Sequence, residues 1–93
     1  MNEITDEKLE KYFKITKEAL DKAKTAKRTD KRADDFLDMA ERYYKDALHF
    51  KKEGNIVNAF AALNYAHGWL DAGARAGFYV VKDSRLFTVD DER

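Results

Sequence analysis

Cysteine and proline are both missing from the 93 residues, and glycine appears only 4 times. Without cysteine there is no disulfide framework and no thiolate metal site, a pattern that fits a cytoplasmic protein. Without proline the usual helix breaker is gone, and abundant Ala, Lys and Glu favour helix, so an all-α chain is expected. No sign of charge is in excess: Lys+Arg and Asp+Glu number 18 each. No net field therefore draws the chain to nucleic acid or to a membrane surface. No apolar run approaches the ~20 residues a membrane-spanning helix needs. The opening Met1–Asp6 also lacks the basic start and apolar run of a signal peptide. A chain of this length is expected to form one domain over residues 1–93.

What is present is hydrophobic periodicity. Thr5 is placed to cap a first helix, with Asp6 and Glu7 facing the positive end of its dipole and Ile4 and Leu9 forming a hydrophobic staple. Leu9, Tyr12/Phe13, Thr16, Ala19/Leu20 and Ala23 then recur at helical spacing. Thr29 or Asp30 is the expected cap of a second helix, whose stripe is Ala33, Phe36/Leu37, Ala40, Tyr43/Tyr44 and Ala47/Leu48. Glu53-Gly54-Asn55 reads as a stop and a start: Gly54 takes a left-handed position and Asn55 caps a third helix. So short a link makes neighbours antiparallel. The prediction is an antiparallel up-down-up three-helix bundle with helices over about 5–27, 30–53 and 55–77. A tail, about 78–93, follows as an extended segment or short hairpin, because Phe78–Val81 and Leu86–Val89 flank a polar turn. Asp90–Arg93 is expected to fray.

The third helix is the unusual one. In a chain that is 39% charged, residues 59–75 carry only Asp71 and Arg75. One stripe, Ile56, Ala59/Phe60, Leu63, Ala66/His67, Leu70 and Gly73/Ala74, is core. A second, with Tyr65, Trp69 and Ala72, is also largely apolar and needs a cover, either the tail or another subunit. A third line holds Asn64, Gly68, Asp71 and Arg75. Interior glycines cost about 1 kcal/mol each relative to alanine, so Gly68 and Gly73 mark places where something approaches the backbone closely.

Chemistry has few footholds. His67 and Asp71 are one turn apart, so the carboxylate can hold the imidazole and favour its charged form, and Arg75 is one turn further on. No Ser, Thr or Cys neighbours the pair in sequence, which favours a structural tie to Tyr43 or Tyr44 over acid–base work. No metal site and no cofactor are expected: His49 and His67 lie on different helices, and Asp34, Asp35 and Asp38 serve a helix N-terminus. A basic elbow of Lys22, Lys24, Lys27, Arg28, Lys31 and Arg32 has no interleaved aromatics, so nucleic acid is not expected there.

The run Tyr65-Ala66-His67-Gly68-Trp69-Leu70-Asp71-Ala72-Gly73, with Asp46-Ala47 and Gly54-Asn55 before it, resembles domain of unknown function family 357, over about residues 10–80. That resemblance implies a three-helix bundle and an archaeal, cytoplasmic setting, and no activity. The residues leave two readings open. The first is a non-enzymatic interaction or assembly module, a homodimer or a binder of another protein, using Asn64, Tyr65, Gly68, Trp69, Ala72, Gly73 and Arg75. The alternative is a small-ligand or acid–base site on His67 and Asp71.

Overall fold

Residues 4–87 are described by the computed structural model. They form three helices, α1 (Asp6–Thr25), α2 (Ala33–Lys52) and α3 (Ile56–Ala76), and no named strand occurs among them. Each end has a local cause. Thr5 accepts a hydrogen bond from the Lys8 N–H at 3.0 Å, and Asn55 accepts one from Asn58 at 3.2 Å, so α1 and α3 begin where a side chain satisfies a free amide. Helices α2 and α3 end in the same way. Gly54 and Gly77 both have φ of 78°, a conformation that glycine adopts without steric cost. Behind them Asn55 N–H bonds the Phe50 carbonyl at 2.8 Å and Phe78 N–H bonds that of Gly73 at 3.0 Å. These are the six-to-one bonds of a Schellman cap.

The second helix departs from expectation at its start. It begins at Ala33 with no side-chain cap. Asp30 instead accepts the Arg32 N–H at 2.8 Å, two residues on, a tight turn ahead of the helix. Thr29 is taken by the tail: its N–H donates to the Phe78 carbonyl at 2.8 Å and its hydroxyl to the Gly77 carbonyl.

Contacts between helices run in the order an up-down-up bundle requires. Phe36 meets Trp69 and Tyr43 meets Tyr65, so residue numbers rise along α2 as they fall along α3. Phe13 meets Tyr44 and Lys24 meets Glu41, again in opposite order. Along α1 and α3, Tyr12 meets Phe60. The core has two parts. At one end Leu9, Phe13, Ala47, Ala59, Ala62 and Leu63 pack together. At the other, Leu20, Leu37, Leu70 and a run of alanines surround residues from the tail.

The tail is not a hairpin within the described residues. Tyr79 pairs with Arg28 in a single antiparallel bridge, and Val80 N–H donates to the Lys27 carbonyl at 3.0 Å. The partner of this segment is therefore the α1–α2 link, and the tail supplies hydrogen bonds that a link without glycine or proline does not make for itself. Phe78, Tyr79, Leu86 and Phe87 are all buried. The chain turns at Asp83, whose carbonyl accepts from Leu86 and Phe87. Residues 88–93, including the second half of the expected hairpin and the end expected to fray, lie outside the described residues.

Asp83 fastens the turn to α1. Its carboxylate accepts from Arg85 and from Lys22, the latter at 2.8 Å. The Arg85 guanidinium, and then the Lys22 ammonium, hold the Asp83 carboxyl well below the usual carboxylate range. A carboxyl depressed in the folded state contributes stability above its unfolded value, near 4, and loses it as pH falls through the folded value. Tail docking is therefore expected to be constant from neutral pH down to about 4 and to weaken below that. Hydrogen exchange at Phe87 across an acid series measures it, and Asp83→Asn should remove most of the acid dependence.

Candidate functional site

On α3 the three lines separate by exposure. Ala59, Leu63, Ala66, Leu70, Gly73 and Ala74 are buried, Trp69, His67 and Asp71 are half-buried, and Asn64, Tyr65, Gly68, Ala72 and Arg75 are exposed. The expected cover for Trp69 was the tail or another subunit. The structure supplies α2: Phe36 meets the Trp69 ring edge-on at 5.0 Å, and Phe78 meets Phe36 edge-on as well, at 4.9 Å. Trp69 also packs against the core cluster to which the tail contributes Phe78, Tyr79, Leu86 and Phe87.

The two interior glycines part company. A Cβ on Gly73 would lie 2.5 to 2.7 Å from atoms of the Tyr79 side chain, so Gly73 belongs to the interior and not to an outward surface. A Cβ on Gly68 would meet nothing within 4 Å. Its cost to the helix is not offset by anything in the described chain.

His67 and Asp71 lie together, but loosely: Nε2 to Oδ1 is 3.9 Å, longer than a hydrogen bond. No hydrogen bond joins His67 to Tyr43 or Tyr44 among the described residues; the Tyr43 ring stacks on Tyr65 and the Tyr44 ring stands edge-on to Phe13. Arg75, one turn beyond Asp71, is exposed. Beside the pair a cleft of about 410 Å³ opens between α1 and α3, lined by Tyr12, Thr16, Leu63, Asn64, His67, Asp71 and Arg85 among others. A second, shallower depression of about 390 Å³ lies across α3, between Phe36, Tyr65, Gly68, Trp69 and Ala72. Reading the sequence missed Thr16 and Arg85 as members of the first cleft. Thr16 left a signal, a hydroxyl in an apolar stripe; Arg85, in the tail, left none.

The basic elbow is largely neutralised. Lys22, Lys24, Arg28 and Arg32 pair with Asp83, Glu41, Asp34 and Asp30. Hydrogen bonds from Arg32 lower the Asp30 carboxyl to about 2. Asp34 and Asp38 are engaged by Arg28 and Arg42. Among the described residues no group of three His, Asp or Glu could hold a metal ion, and no helix is long and apolar enough to cross a membrane.

A three-helix bundle whose last helix leaves a nearly uncharged outer face, closed at one end by its own tail, is the class that fold and surface define. The chain belongs to a protein family of unknown function, DUF357, which matches residues 11–79. No curated protein and no solved structure matches it.

Proposed function

We propose that this protein is a non-enzymatic assembly module that pairs with a second copy of itself through the outer face of α3, acting in the cytoplasm as one folding unit. The observation that carries the reading is a bump beside a hole. Tyr65 is 62% exposed, and three residues on, Gly68 leaves open space in the depression that Trp69 and Ala72 also line. Around them Val57, Ala61, Ala72 and Ala76 are exposed as well. With Tyr65 and Gly68 they form one stripe at helical spacing that carries no charge.

The stripe is self-complementary. Val57 and Ala76, Ala61 and Ala72, Tyr65 and Gly68 are equally spaced about the bond between Ala66 and His67. Two antiparallel copies crossing there place the ring of Tyr65 from each over Gly68 of the other, as an isologous two-fold interface requires. Small residues on both sides let the helices approach closely, and an exposed tyrosine is a residue type that interfaces favour. Catalysis is less well supported. The 3.9 Å between His67 and Asp71 is too long for the hydrogen bond that orients a general base.

Sedimentation velocity tests the proposal. A dimer is expected at high micromolar concentration, and Tyr65→Asp should leave a folded monomer, since Tyr65 is exposed. A monomeric native protein at that concentration, or a dimer indifferent to Tyr65→Asp, overturns it.

A further inference from the structure

We infer that the cleft between α1 and α3 is a binding site for a small, planar, uncharged heteroaromatic molecule of the nucleobase or nucleoside class. Four polar side chains line it with no hydrogen bond among the described residues: Tyr12, Thr16, Asn64 and His67. Thr16 is the informative one. It is only 2% exposed, yet its hydroxyl makes no hydrogen bond among the described residues. No side-chain nitrogen or oxygen shut off from solvent lacks a partner among the described residues. The little surface that Thr16 keeps must therefore include its hydroxyl, and the cleft is what it faces. A buried hydroxyl left open to a concavity is a group for which a bound molecule can supply the missing bond.

The chemistry of the lining selects the ligand. Two hydroxyls, an amide and an imidazole both donate and accept, and none carries a fixed charge. Among the lining residues Asp71 and Arg85 carry charges of opposite sign. Arg85 is further engaged by Asp83 and Glu18, so a strongly anionic ligand finds no surplus cation. Ile15 and Leu63 supply apolar wall. Two flat groups complete it: the Tyr12 ring, fixed edge-on to Phe60 at 5.1 Å, and the Arg85 guanidinium. Bases are held elsewhere in this way, stacked on aromatic or guanidinium planes with polar side chains reading the edge. About 410 Å³ lies within the range of small-molecule sites. The site does not require self-association, since every residue that lines it belongs to one chain, although Asn64 and Gly68 also line the depression on the outer face of α3.

The test is an NMR titration of the native protein with adenosine, guanosine, cytidine and uridine, and with myo-inositol as a polar molecule that is not planar. Saturable shifts of the Asn64 amide and His67 ring are expected with at least one nucleoside. A dissociation constant of roughly 10–1000 µM suits a ligand of this size. Thr16→Val keeps the shape of the side chain and should weaken binding roughly 5- to 10-fold, the loss of one hydrogen bond to a buried group, with thermal unfolding little changed. Tyr65→Asp should bind as the native protein does. Absence of saturable shifts with all four nucleosides, equal binding of myo-inositol, or unchanged affinity in Thr16→Val overturns the inference.

Discussion

Replacing Tyr79 by alanine is expected to cost about 3–5 kcal/mol, the range for removing a buried aromatic. The side chain is 1% exposed and among the largest fully buried in the molecule. It lies against Gly73, its hydroxyl donates to the Leu70 carbonyl, and its backbone bridges to Arg28. A domain of this size is stable by about 5–15 kcal/mol in all, so the loss should lower the melting temperature by some 15 °C or more. Tyr79→Phe separates packing from the hydrogen bond and should cost only about 1 kcal/mol. Burial first, and the Asp71 charge second, push the Tyr79 phenol above its ordinary value. A group raised in the fold contributes stability in full below its unfolded value, near 10, and loses it as pH rises through the folded value. The native protein should therefore hold its stability to about pH 10 and fall off above that, with Tyr79→Phe the flatter of the two. Urea denaturation of the three proteins across the pH range, with thermal melts at neutral pH, measures these effects. A loss under 1 kcal/mol in Tyr79→Ala would mean that the tail is not part of the core.

That dependence explains which parts of the fold could be read in the chain. Thr5, Gly54, Asn55 and Gly77 act within one turn of themselves, so helix ends set by them follow from local chemistry. The start of α2 does not, because Thr29 is held by residues 77 and 78, far away in sequence. Phe78–Val81 has the composition of a strand, and Tyr79 does form a bridge, but with the α1–α2 link rather than with its own return. Alternation reports that a segment pairs and not with what. The face of α3 holding Trp69 was legible as apolar; that Phe36 covers it was not, since the same stripe of α2 fits either side of a neighbouring helix. In the candidate site, the His67–Asp71 spacing was visible and its looseness was not. Arg85 arrives from the tail, by a route that no local spacing encodes.

The sharpest consequence of the packing is a difference in sign between two glycines five residues apart on one helix. Alanine is favoured over glycine inside a helix by about 1 kcal/mol, so on propensity alone both substitutions stabilise. Gly68→Ala should do so, by up to about 1 kcal/mol, because its new methyl meets nothing within 4 Å. Gly73→Ala should do the reverse. Its methyl would stand 2.5 Å from the Tyr79 hydroxyl oxygen and 2.6 and 2.7 Å from ring carbons. The ring cannot simply swing aside, since it is buried and its hydroxyl is held by Leu70. Overpacking of this kind costs about 1–3 kcal/mol, enough to cancel the helix preference and leave a net loss of up to about 2 kcal/mol. In a Tyr79→Leu background the clash is relieved, so Gly73→Ala should turn neutral or stabilising, a coupling that a double-mutant cycle isolates. The measurement is urea denaturation at low protein concentration, where self-association does not contribute. If Gly73→Ala is stabilising in the native background, the close approach of Tyr79 to α3 is wrong, and with it the account of why this helix carries a glycine there.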